Sequence, residues 1–179
     1  MNKLYFGDNL EWLAKMDAES VDLVYLDPPF NSESTYNLLY RSPDGSAAQS
    51  QYQAFVDSWR WGPSTDASFA SVIKSGSPCA GILTSLNNYM QKSDMMAYLV
   101  MMAARLIELR RVLKPTGSLY LHCDSSASHY LKIILDSVFG ASSFRNEIIW
   151  KRSGAKSLMS RRLSNSEAAC ALGANNPAF

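Results

Sequence analysis

Asp27-Pro28-Pro29-Phe30 is the segment whose residue types and spacing could do chemistry. An ionised carboxylate accepts hydrogen bonds without donating any, and a carbonyl flanked by two prolines accepts along a fixed direction. Two such acceptors suit an exocyclic amine, whose lone pair is conjugated with its ring and therefore a poor nucleophile. Holding both N–H groups draws the lone pair out of the ring plane. Asp27 would accept one N–H and the Pro28 carbonyl the other, while Pro29 keeps the backbone extended and Phe30 stacks on an extruded base. An isolated Asp-Pro-Pro also reads as a plain strand-terminating turn. The aromatic that follows and the apolar run that precedes favour the chemical reading.

That apolar run, Val21-Asp22-Leu23-Val24-Tyr25-Leu26, predicts a strand buried on both faces of a parallel sheet. Ligands of open α/β sheets bind beyond the carboxyl ends of the strands, where Asp27 to Phe30 would stand. Upstream, Leu4 to Phe6 predicts a short strand, Gly7 a turn, and Asp8 with Glu11 a capping box that starts a helix. From Asn31 to about Ser77 the chain is polar and loop-like, yet it carries Tyr36, Tyr40, Tyr52, Phe55, Trp59 and Trp61. These aromatics predict an ordered insertion beside the sheet. Tyr89 to Lys114 has the apolar stripe of one long helix, ended by Lys114-Pro115-Thr116-Gly117. A strand over Ser118 to Cys123, a helix over Asp124 to Phe139 stopped by Gly140, and a last strand over Glu147 to Lys151 complete an α/β pattern. Residues 153–179 are small and polar, and predict a poorly ordered tail.

The 179 residues, 47% hydrophobic and 18% charged, suit one globular unit, and a net charge of +1 gives no whole-molecule reason to bind nucleic acid. Local patches would have to do so. Lys151, Arg152, Lys156, Arg161 and Arg162 form one, without an acidic residue among them, and either lie on phosphates or belong to a solvated tail. Three scattered cysteines argue against a disulfide framework or a structural zinc site and fit a reducing, cytoplasmic compartment. No segment has the length of a membrane span, and no signal peptide precedes Asp8. His122, Asp124 and His129 lack any familiar ligand spacing, so no metal is expected, and Asp124 reads as a helix cap. The Met95, Met96, Met101, Met102 run reads as core packing.

Tyr5-Phe6-Gly7-Asp8-Asn9-Leu10, Leu26-Asp27-Pro28-Pro29-Phe30-Asn31 and Val112-Leu113-Lys114-Pro115-Thr116-Gly117-Ser118 together resemble the permuted, beta-class DNA methyltransferases of the N-4/N-6 family. Trp59-Arg60-Trp61-Gly62, Met95 to Leu99, Leu121-His122-Cys123-Asp124 and Arg145 to Arg152 resemble a bacterial, adenine-specific branch associated with restriction-modification systems. The likeness runs from about Lys3 to Arg152. It implies a three-layer Rossmann-like fold dependent on S-adenosylmethionine and a methyl transfer to the amino group of a flipped base, adenine N6, in double-stranded DNA. By position, Asp27, Pro28, Pro29 and Phe30 resemble the amino-group motif, and Asp8 resembles the acidic residue near the adenine of the cofactor. Asp27 would also border the cofactor, and Lys151 and Arg152 the nucleic acid. Asp8 reads equally well as a helix N-cap.

Such a cofactor needs a Gly-rich turn after a strand, and the chain has no G-x-G. The 26 residues before Asp27 leave no room for that turn in the unpermuted order, so it belongs downstream. Residues 1–152 therefore read as the front of a methyltransferase domain with an incomplete sheet, truncated after about residue 152, with a divergent tail over 153–179. The alternative is a catalytically inactive remnant, or one half of a split enzyme completed by another methyltransferase fragment or a restriction subunit.

Overall fold

The computed structural model describes residues 2–29, 34–38, 52–57, 59–124, 126–149 and 168–174. Its organising element is a helix whose apolar residues point in nearly every direction, α4 (Asp94–Val112). Met96, Leu99, Val100, Ala103, Leu106 and Val112 are fully buried along it, the signature of a helix enclosed by its neighbours. Ser93 caps its start by accepting from the Met96 amide at 3.2 Å, and Arg110 and Arg111 complement the dipole at its end.

The single helix expected over Tyr89 to Lys114 is in fact the end of one helix and the whole of the next. α3 (Cys79–Met90) stops at Gln91, whose φ is 53°, and α4 begins three residues later. Apolar periodicity runs across the break because both helices turn buried residues into one core. The loop-like reading of 31–77 is likewise corrected, since α2 (Pro63–Lys74) lies within it, with Pro63 in the first turn where its missing N–H costs nothing. β2 (Ser34–Leu38) and β3 (Tyr52–Asp57) pair antiparallel in a small sheet of their own. Trp59 and Trp61 pack against the core, and the Trp61 indole and Lys92 both donate to Asp66, at 2.8 and 3.0 Å. The Lys92 bond first and the Trp61 bond second hold the Asp66 carboxyl below its ordinary value. A lowered carboxyl contributes stability above its unfolded value and loses it as pH falls through the folded one.

The main sheet has the order β1-β4-β6-β5, built from β1 (Val21–Leu26), β4 (Leu113–His122), β5 (Asn146–Ile149) and β6 (Ala168–Ala174). β1 and β4 are parallel, and β6 runs antiparallel to both β4 and β5. The tail expected to be poorly ordered from residue 153 thus contributes a strand over 168–174. Val24, Leu119 and Leu121 face the helices and are buried. The burial of β1 on both faces does not hold: on the opposite face Leu23, Tyr25 and Tyr120 are 58%, 68% and 41% exposed. The described residues therefore form two layers, helices on one face of the sheet. Leu4 to Phe6 form no strand; the Trp12 indole instead donates to the Phe6 carbonyl at 3.2 Å.

α4 ends at Val112, just ahead of Lys114-Pro115-Thr116-Gly117, and those four residues then bulge within β4. Val21 pairs with Leu113 and Leu23 with Ser118, so the extra residues loop out, where Pro115 owes no ladder hydrogen bond. Lys114 reaches across to both Asp22 oxygens at 2.8 and 2.9 Å. Gly117 passes close to its surroundings: an added Cβ would stand 2.7 Å from Leu113 Cδ1 and 3.1 Å from the Asp22 carbonyl. Leu113 is fully buried and cannot swing away. Gly117→Ala should therefore cost about 1–3 kcal/mol by overpacking, read as a lower denaturation midpoint. A midpoint equal to wild type would show that the bulge yields.

α5 (Ser128–Phe139) follows β4 after a short turn and ends at Gly140, whose φ of 90° favours glycine. It begins later than Asp124, whose carboxylate accepts from the Ala127 amide at 3.1 Å ahead of the first turn.

Candidate active site

β1 ends at Leu26 because Pro28 and Pro29 cannot donate to a ladder. Asp27, Pro28 and Pro29 therefore stand at its carboxyl end and line a cavity of about 650 Å³. Gly7, Asp8 and Asn9 close one side of it from the start of α1 (Asn9–Leu13), and Met101, Met102 and Arg105 close another from α4. Trp59 and Tyr25 also line it. Flat apolar surfaces with a few convergent polar groups are what a planar, amine-bearing ligand needs.

Asp8 lines this cavity and also caps α1. Its Oδ1 accepts from the Leu10 amide at 2.9 Å, capping α1. Arg105 Nη2 donates to both carboxylate oxygens at 2.7 and 2.8 Å, and Arg105 Nε donates to Asn9 Oδ1 at 2.8 Å. This fork ties α1 to α4 across 97 positions of sequence. A carboxylate has about four lone-pair sites, so Oδ2 retains room for one further donor. Arg105→Ala should lower the melting temperature by the equivalent of about 1 kcal/mol, the scale of a partly exposed ion pair with good geometry. Unchanged melting would mean that α1 holds its place through packing alone.

His122, at the end of β4, lies 2.8 Å from Asp27 through Nδ1 and Oδ1. Neither Arg105 nor this His122 pairing is visible from sequence spacing. An arginine amid Ala103, Ala104 and Leu106 is the signal that points to Arg105. Met101 and Met102 pack in the core and also wall the cavity. Phe30, Lys151 and Arg152 lie outside the described residues. Among the described residues, no three histidine, cysteine, aspartate or glutamate side chains are grouped to hold a metal.

The sequence model of the DNA methylase family matches residues 21–171, most of the chain. The chain belongs to the DNA methylase family. The match extends past Arg152, where the motif resemblance ends, and reaches into β6. Among curated relatives, the Mod subunit of the StyLTI type III restriction-modification enzyme of Salmonella typhimurium is 27% identical over 154 residues, 84% of this chain and 20% of that protein. The EcoP15I Mod subunit of Escherichia coli is 24% identical over 148 residues, 81% of this chain and 20% of its own length. The type II methyltransferase M.KpnI of Klebsiella pneumoniae is 23% identical over 155 residues, 85% and 27%. This DNA methylase chain thus spans about a fifth to a quarter of the relatives it matches. Among its described residues, no helix is long and apolar enough to cross a membrane.

Proposed function

We propose that this DNA methylase transfers a methyl group from S-adenosylmethionine to the exocyclic amino group of a flipped base in double-stranded DNA, adenine N6. The observation that carries the reading is the position of Asp27-Pro28-Pro29 at the carboxyl end of a parallel strand, on the wall of a cavity. The family membership and the restriction-modification relatives support it. So does the motif resemblance to a permuted, Rossmann-like methyltransferase.

The residues present fit part of the cofactor. Trp59, Met101 and Met102 offer apolar surface for an adenine ring, and the remaining Oδ2 site of Asp8 accepts from its amino group. Asp27 borders the same space. When bound, S-adenosylmethionine supplies an electrophilic methyl group and leaves as a neutral thioether.

Asp27 accepts one N–H of the target amine and the Pro28 carbonyl accepts the other, which frees the nitrogen lone pair for attack. As the N–C bond forms, positive charge grows on nitrogen, and the Asp27 carboxylate stabilises it. One N–H proton of the cationic amine then passes to solvent water, which leaves the neutral N-methyl amine. Phe30 stacks on the extruded base, and Lys151 and Arg152 hold backbone phosphates. No covalent bond to the protein is needed.

Incubation of the chain with labelled donor and duplex DNA tests this. Label should enter the DNA, and should not do so with Asp27→Ala. Absence of incorporation together with absence of donor binding by calorimetry would sink the reading for this chain. A second reading starts from the position of β1 at the edge of the sheet that the described residues form and from its exposed Leu23 and Tyr25 face. In it the chain transfers methyl groups only when joined by a complementing methyltransferase fragment, and restoration of activity by such a fragment distinguishes the two.

A further inference from the structure

We propose that His122 is the positioning residue for Asp27: its Nδ1–H holds carboxylate Oδ1 in place and leaves Oδ2 to accept from the amine. The proposal rests on the reading of Asp27 as the amino-group acceptor. Strand register brings the two together. Leu26 stands opposite Leu121 in the parallel pair, so the residues that follow each, Asp27 and His122, leave adjacent strands side by side. Side chains alternate along a strand, so both emerge on the face that Tyr25 and Tyr120 occupy.

The contact has a defined direction. Nδ1 and Oδ1 are 2.8 Å apart, and an ionised carboxylate only accepts, so the ring nitrogen donates. In a neutral imidazole this selects the Nδ1–H tautomer. The His122 side chain is 30% exposed and Asp27 62%, so the more sheltered group anchors the one that faces the ligand. The two acceptors of the amine are then fixed by different devices. Pro28 and Pro29 set the direction of the Pro28 carbonyl through the backbone but leave the torsions of the Asp27 side chain free. His122 removes that freedom. Without it the carboxylate rotates, and its oxygen meets the amine in the right orientation for only part of the time.

The chain has two histidines, so the ring nitrogens can be read individually, with His129 as internal reference. Nitrogen-15 NMR of the full chain at about pH 8.5, where imidazoles are neutral, should show the Nδ1–H tautomer at His122 and its loss in Asp27→Ala. An Nε2–H tautomer at His122 in the wild type would overturn the proposal. In methyl-transfer assays, His122→Ala should lower kcat roughly 10–100-fold with KM for donor and DNA within about twofold, the pattern of lost orientation rather than lost binding. His122→Asn, whose amide N–H can replace the Nδ1 donor, should recover most of that loss. Wild-type kcat in His122→Ala, or equal losses in the alanine and asparagine variants, would contradict a positioning role. A wild-type chain that transfers no methyl group, alone or with a complementing methyltransferase fragment, refutes the amino-group reading and with it the catalytic sense of the contact. The tautomer measurement still decides whether His122 holds Asp27.

Discussion

Asp27→Ala should lower kcat for methyl transfer by roughly a thousandfold, the scale of removing a preorganised polar group aimed at developing charge. Donor and DNA affinities should move by no more than a few fold, because the Asp27 carboxylate is needed most when the nitrogen becomes positive. The side chain is more than half exposed, so the fold should survive its removal. Asp27→Asn should fall nearly as far. Its amide oxygen still accepts one N–H, but it carries no charge to oppose the one growing on nitrogen. Steady-state kinetics with duplex DNA, paired with calorimetric binding of the donor, separates these effects. An equal loss of kcat and donor affinity would instead make Asp27 a cofactor ligand.

Leu106→Ala should have the largest effect on stability, about 2–5 kcal/mol, since a fully buried leucine leaves a cavity that its neighbours fill only in part. The site should feel the change because α4 carries Met101, Met102 and Arg105 to the cavity wall from the same stretch of helix. Chemical denaturation should show a lower midpoint with an unchanged slope. Donor binding should weaken in step as Arg105 loses its purchase on Asp8. A loss below about 1 kcal/mol would mean that the core around α4 repacks more freely than its complete burial indicates.

What could be read from the sequence was local. The strand before Asp27 announces itself through an apolar run cut off by two prolines, and the α5 stop through Gly140. Asp8 as a cap follows from its place ahead of a short apolar turn. What could not be read depends on distant segments. His122 meets Asp27 across 95 positions because of a parallel register, and no spacing within either strand encodes that register. Arg105 meets Asp8 for the same kind of reason. The division between α3 and α4 was hidden because their apolar faces share one core, so periodicity alone runs straight through Gln91. α2 was hidden by its polar composition, and the strand over 168–174 by small residues, whose weak strand preference is overridden by two pairing partners.

The most direct test is the identity of the methylated base. Duplex DNA incubated with the chain and S-adenosylmethionine, digested to nucleosides and resolved by mass spectrometry, should contain N6-methyladenine with wild type and none with Asp27→Ala. N4-methylcytosine would keep the amino-group chemistry and change the target base. Methylated DNA in equal amounts from both proteins, or methylation at a ring carbon, would contradict the assignment of Asp27 to the amino group.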